Sequence, residues 1–220
     1  MATTFTRRAI MIGGLALAAN TAWAGPHPLY GGGETEGLRN PELLPPPESP
    51  FDFTITPVDL DTIPDRFHRQ LVSYYGFEPP GTLIVDPQER FLFLVLENGS
   101  ALRYGVGVGR AGFAWSGEAT IGMKRRWPRW LPPEEMVYRD TKAATWVNGM
   151  PGGPDNPLGA RALYLHANGE DTLYRIHGTN DPSSIGKAMS SGCIRMLNED
   201  VADLFERVPK GARVIVLGSS

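Results

Sequence analysis

One stretch holds the side chains able to do covalent chemistry. Ile176-His177-Gly178-Thr179-Asn180 is followed, after a polar loop, by Ser190-Ser191-Gly192-Cys193-Ile194-Arg195-Met196-Leu197-Asn198, and Cys193 is the only cysteine of the chain. Sixteen residues separate it from His177. A thiol of ordinary pKa, about 8.5, is only a few per cent ionised near neutrality. A neighbouring imidazole that accepts its proton can hold the thiolate as an ion pair and so strengthen the nucleophile. Gly192 leaves the backbone bare beside the sulfur, where its own N–H and that of Cys193 can face a developing oxyanion. Arg195 is a planar cation suited to gripping a carboxylate through two parallel hydrogen bonds. A buried structural cysteine and a core histidine are the alternative, against which the glycine turn and the arginine weigh. The residues by themselves support acyl transfer through a thioester, with His177 moving the proton.

Two elements must position this pair. Ala162-Leu163-Tyr164-Leu165 and Leu173-Tyr174-Arg175-Ile176 flank Asn168-Gly169, which predicts a hairpin and sets His177 at the rigid end of a strand. After Cys193, Asn198 reads as an N-cap with Glu199 and Asp200 in the first turn, and Val201, Leu204, Phe205 and Val208 recur on one helical face. Pro209 and Gly211 end that helix, and Arg213-Val214-Ile215-Val216-Leu217 reads as a final strand.

The site residues resemble the signature of the L,D-transpeptidase (YkuD-type) family: His-Gly, a spacer, then Ser-His-Gly-Cys, an apolar residue and Arg or Asn. Here the match is His177-Gly178 and Ser190-Ser191-Gly192-Cys193-Ile194-Arg195, with Ser191 standing where the family usually has a second histidine. Thr120-Ile121-Gly122 and Asn156-Pro157-Leu158-Gly159 resemble secondary motifs, and the likeness extends from about Gly81 to Leu217. The resemblance implies a mainly β, sandwich-like catalytic fold with a few short helices. It implies Cys193 and His177 as catalytic residues and Gly178, through its carbonyl, as the group that orients the imidazole. Gly192 and Ser191 would shape the turn and the oxyanion site, and Arg195 and Ser190 would bind substrate. The substrate implied is a peptidoglycan tetrapeptide stem, cleaved after the L-centre of its diamino acid with release of D-alanine. The acyl group then passes to another stem, a D-amino acid, a protein or water. The order of the residues differs from papain-like hydrolases, where the cysteine precedes its histidine. Two other readings stand beside it: an L,D-carboxypeptidase or endopeptidase using water, and a non-catalytic peptidoglycan-binding module.

Composition sets the frame. The chain has 220 residues, 41% of them hydrophobic, with 26 glycines and 20 prolines, which favours a loop-rich β protein of one domain over a helical bundle. Residues 1–24 read as a signal peptide. Arg7-Arg8 precedes an apolar run, Ile10 to Ala19, that is too short to span a bilayer, and Ala22-Trp23-Ala24 is a cleavage pattern. Thr6-Arg7-Arg8 suggests the twin-arginine route, with an ordinary Sec signal as the alternative. The expected location is therefore the periplasm or cell envelope, with no permanent membrane helix. Without that segment 19 basic residues face 24 acidic ones, a formal charge of −5, which offers nothing general to nucleic acid. No zinc spacing or P-loop appears, and His166 and His177 lack an obvious third ligand, so neither metal nor cofactor is expected.

Residues 25–50, with Gly31-Gly32-Gly33 and Pro45-Pro46-Pro47, read as a tether. Residues 51–80 are predicted to be a helical lead-in. Its amphipathic helix would run from Asp61 to Tyr75 through Phe67, Leu71 and Tyr74 or Tyr75, leaving His68 on the surface. The catalytic domain, 81–217, opens with Thr82 to Val85, then Arg90 to Glu97, an Asn98-Gly99 turn and Ala101 to Val108. Gly109 to Gly159 reads as a long insert in which Trp115, Trp127, Trp130 and Trp146 interleave with Lys124, Arg125, Arg126 and Arg129: either the tryptophans cover the sheet while the basic residues stay solvated, or the insert walls a substrate groove.

Overall fold

The computed structural model describes residues 52–109, 115–190 and 192–218. The expected signal peptide and tether, and Ser191, lie outside the described residues.

Alternation of apolar side chains builds the sheet from its first strands. β1 (Gln70–Ser73), β2 (Leu83–Asp86), β3 (Phe91–Val95), β4 (Ser100–Gly105) and β5 (Val108–Gly109) precede a ten-residue strand, β6 (Gly117–Arg126). Two short helices, α1 (Glu134–Arg139) and α2 (Thr141–Ala144), lead to the hairpin of β7 (Arg161–Ala167) and β8 (Glu170–His177). Then come β9 (Ala188–Ser190), β10 (Ile194–Arg195), α3 (Asn198–Arg207) and β11 (Arg213–Val216). Nine strands form one sheet in the order β1-β4-β3-β2-β11-β6-β7-β8-β10, and β5 pairs with β9 in a small second sheet. β3 is buried at every residue because apolar clusters cover both faces. Leu92 and Leu94 join one cluster, with Leu83, Val85 and the helix residues Val201, Leu204 and Phe205. Phe91, Phe93 and Val95 join the other, with Ile63, Phe67 and Tyr74. Among the described residues the protein is thus mainly β, with three short α-helices. Both hairpin turns form where expected, since Asn98 and Gly99 (φ 57° and 65°) and Asn168 and Gly169 (φ 54° and 83°) take the positive φ angles of a type I′ turn.

The lead-in is not the expected helix. Two single 3₁₀ turns, Leu60–Thr62 and Asp65–Phe67, are followed by β1, which pairs antiparallel with β4 from Gln70↔Arg103 to Ser73↔Ser100. A helix would put Phe67, Leu71 and Tyr75 on one buried stripe, yet Leu71 and Tyr75 are 63% and 65% exposed while Phe67 and Tyr74 are buried. The open edge of β4 supplies a ladder of main-chain hydrogen bonds that a short helix lying on the surface cannot match. His68 is half-buried, its Nε2 2.8 Å from the Ile63 carbonyl.

The region from Gly109 to Gly159 is also more than an insert. β6 lies inside the sheet between β11 and β7, with Ala119 and Ile121 in the core. Its polar residues hid it: Lys124 is buried, and its Nζ donates to the carbonyls of Phe205 and Val208 at the end of α3. Trp127 is buried and donates through Nε1 to Asp52, while Trp146 is 38% exposed. Arg126 faces Asp52 and Glu206 rather than open solvent.

Candidate active site

The site forms where the end of β8 meets the two-residue strand β10. β10 pairs parallel with β8 in the register Ile194↔Ile176 and Arg195↔His177. Ile176 and Ile194 point into the core, so alternation turns Arg175, His177 and Arg195 to the opposite face. Cys193, one residue ahead of β10, comes beside Arg175, whose backbone N–H donates to its sulfur. The last residue of β8 and the residue before β10 are thereby diagonal neighbours across adjacent strands. Met196 N–H donates to the His177 carbonyl at 2.8 Å and locks this register.

His177 is buried, and its Nδ1 lies 2.6 Å from the carbonyl of Gly178. A carbonyl only accepts, so Nδ1 carries the proton and Nε2 presents a lone pair. The carbonyl is the one that the resemblance implied. Burial pulls the His177 pKa from its ordinary 6.5 down to about 4, although the carbonyls of Gly178 and Leu158 work against it; the charges of Arg195 and Arg175 add to the fall. Burial also pushes the Cys193 thiol up, against the Arg175 N–H and the charges of Arg175 and Arg195. Both shifts favour a resting pair of neutral thiol and neutral imidazole. Burial taxes both ionised partners at once.

The neighbouring groups fall into place around this pair. The Arg195 guanidinium has no hydrogen bond or ion pair among the described residues, and Asp181 is its electrostatic partner. Burial disfavours its charge. Its main chain exchanges two hydrogen bonds with Gly107, at 2.8 and 2.9 Å. The nearby carboxylates Glu199 and Asp200 are engaged elsewhere: Glu199 accepts from Val58 N–H, and Asp200 faces Arg69. Gly192 is buried at φ 130°, and a Cβ on Gly109 would come within 2.7 Å of its Cα, so this close approach needs glycine on both segments. Ser190 closes β9 in register with Gly109.

Sequence reasoning missed two supports of the site. Arg175 is held in a bidentate pair with Asp171 (2.7 and 2.8 Å) and lies 4.2 Å over the Tyr164 ring. Strand alternation from His177 was the signal that could have found it. Asn156, fully buried, donates through Nδ2 to the carbonyls of Pro128, Met150 and Pro151 and accepts from Leu158 N–H. It shapes the loop that brings the Leu158 carbonyl to His177. Gly122 packs against the His166 ring instead, at the far end of the β7–β8 hairpin. Among the described residues no group of three His, Cys, Asp or Glu side chains could hold a metal ion.

Comparison with known sequences places this mainly β domain in a family. The family model of the L,D-transpeptidase catalytic domain, YkuD, matches residues 80–216. The chain belongs to the L,D-transpeptidase family. The putative L,D-transpeptidase YqjB of Bacillus subtilis is 37% identical over 136 residues, covering 61% of this chain and 69% of that protein. The probable L,D-transpeptidase YbiS of Escherichia coli is 34% identical over 164 residues, 69% of this chain but 45% of that protein. The chain therefore spans just over two thirds of one relative and under half of the other. Among solved structures, a probable carnitine operon oxidoreductase caia from Brucella melitensis is 49% identical, with a TM-score of 0.48, covering 72% of this chain and 99% of that one. Family membership rests on the sequence matches.

Proposed function

We propose that this protein is an exported cysteine L,D-transpeptidase that acts on peptidoglycan stem peptides through a thioester on Cys193. The observation that carries the reading is the Nδ1–H bond from His177 to the Gly178 carbonyl, which leaves Nε2 as a base one strand away from the thiol. As the sulfur attacks the carbonyl carbon after the L-centre of the diamino acid, Nε2 takes the thiol proton. The tetrahedral oxyanion faces the N–H groups of Gly192 and Cys193. Collapse breaks the C–N bond, His177 returns the proton to the departing D-alanine amine, and the acyl group stays on sulfur. An incoming amine then attacks the thioester, gives its proton to His177, and leaves with the acyl group as a new amide. The low proton affinity of His177 suits the returning step, since an acidic imidazolium protonates a leaving amine readily. The half-buried guanidinium of Arg195 is the cation that would hold a stem carboxylate.

Incubation with defined tetrapeptide muropeptides and mass analysis tests this. Loss of D-alanine with 3→3 crosslinked dimers, or with exchanged terminal residues, is the expected result. Tripeptide products alone would show that water is the acceptor. No thioester mass on Cys193 would refute the mechanism. Ser191→Ala should keep most thioester formation, because a serine hydroxyl neither gains nor releases a proton near neutrality. Export through Arg7-Arg8 is tested by changing both to lysine: a twin-arginine route stops, a Sec route continues.

A further inference from the structure

Asn198 opens α3 but does not cap it. The N-cap position falls on Leu197, which makes no side-chain cap, although Asn is among the best capping residues and Leu among the poorest. The amide is committed elsewhere. Its Oδ1 accepts from Ala160 N–H at 2.9 Å, and its Nδ2 donates to the Thr179 carbonyl at 2.9 Å. It thereby ties the Asn156–Ala160 loop to the segment that follows His177. The fit is close on both sides: a Cβ on Gly159 or on Gly178 would each meet Oδ1 at 2.2 Å. Gly159 also sits at φ +63°, and its absent Cβ would come 2.7 Å from the Gly178 carbonyl carbon. The two carbonyls that lie against the His177 ring, those of Gly178 and Leu158, belong to the two segments that this one side chain joins.

We propose that Asn198 is a positioning residue: by clamping Thr179 and Ala160 it fixes the Gly178 carbonyl, and through it the tautomer and aim of the His177 ring. Main-chain carbonyls orient only as well as their peptide planes are held. With Asn198 removed, the planes at Gly178 and Gly159 lose their common anchor, and glycine flexibility lets them rotate. The imidazole then samples the other tautomer, whose Nε2 bears hydrogen and cannot take the thiol proton.

The inference rests on His177 being the base of the proposed acyl transfer, and the experiment separates the two. Full-length wild type, Asn198→Ala and Asn198→Asp are compared for kcat and KM on a tetrapeptide donor. Iodoacetamide labelling of the sole cysteine is followed against pH, and the ¹⁵N shifts of the His177 ring are recorded. Asn198→Asp keeps the acceptor for Ala160 and loses the donor to Thr179, so it remains informative should the alanine variant fold poorly. Expected are a fall in kcat of about 10–100-fold, the scale seen when outer partners that orient a histidine are removed, with KM within a factor of two to three, and ¹⁵N shifts that mix the two tautomers. A kcat loss with unchanged ¹⁵N shifts in folded Asn198→Asp would overturn the proposal, as would unchanged kcat in both variants. Should wild type make no acyl product while the variants still mix the tautomers, the acyl-transfer reading falls and the positioning role stands.

Discussion

The neutral state of the thiol–imidazole pair makes a measurable prediction about pH. A histidine of ordinary pKa would be about one quarter protonated at pH 7; at about 4, His177 is protonated in roughly one molecule per thousand. The shift is worth about 3 kcal/mol of preference for the neutral ring. Together with a thiol pushed above its usual range, it favours, in the proposed mechanism, a thiolate that forms during attack rather than beforehand. Iodoacetamide labelling of Cys193 should therefore rise with pH through neutrality without a plateau. The kcat/KM for a tetrapeptide donor should instead stay level down to about pH 5 and fall below it, as Nε2 is protonated. His177→Gln should abolish that acid limb and lower turnover about 10²–10⁴-fold. A labelling plateau persisting to pH 5–6, or an acid limb near pH 6.5, would refute the reasoning and restore a standing ion pair. Stability carries the same signature. The folded pKa lies below the unfolded one, so His177 favours the fold fully above pH 6.5, and about 3 kcal/mol is lost as the pH falls from 6.5 to 4. Urea denaturation of wild type and His177→Gln across that window isolates it.

Three further outcomes follow from the packing. Asp200 is buried with Oδ2 unpartnered, and Arg69, 3.7 Å away, lies closer to Asp203 at 3.0 Å, so burial outweighs attraction and raises its pKa to about 7. The fold thus prefers it protonated and stability declines as pH rises from about 4 to 7; Asp200→Asn should gain on the order of 1–4 kcal/mol over wild type at pH 8 and little at pH 4, and a loss at pH 8 would contradict this. Asn156→Ala leaves the Leu158 N–H and at least two carbonyls unpaired in the interior, which costs about 3 kcal/mol or more in chemical denaturation; a change below about 1 kcal/mol would mean that the loop repairs itself. Arg195→Lys keeps the charge but loses the planar fork, so kcat/KM for a stem donor should fall about 10–100-fold, and unchanged kinetics would remove Arg195 from substrate binding.

Much of the site was legible because its information is local. His177-Gly178 and Gly192-Cys193 mark a candidate base and a candidate nucleophile by residue type, and Asn168-Gly169 places His177 at a strand end through φ angles that few other residues accept. The final helix face and the last strand were legible for the same reason, as apolar periodicity is a property of consecutive residues. What depends on partners remote in sequence was not. β1 forms because β4 offers it an open edge, which outweighs the helical spacing of Phe67, Leu71 and Tyr75. β6 is an inner strand despite Lys124, because the carbonyls ending α3 receive that ammonium. Asn198 carries the local mark of an N-cap, yet Ala160 and Thr179 claim its amide. The ionisation of the pair was the least legible of all. Residue types say that an imidazole can take a thiol proton, but burial by the surrounding fold decides whether it holds that proton at rest.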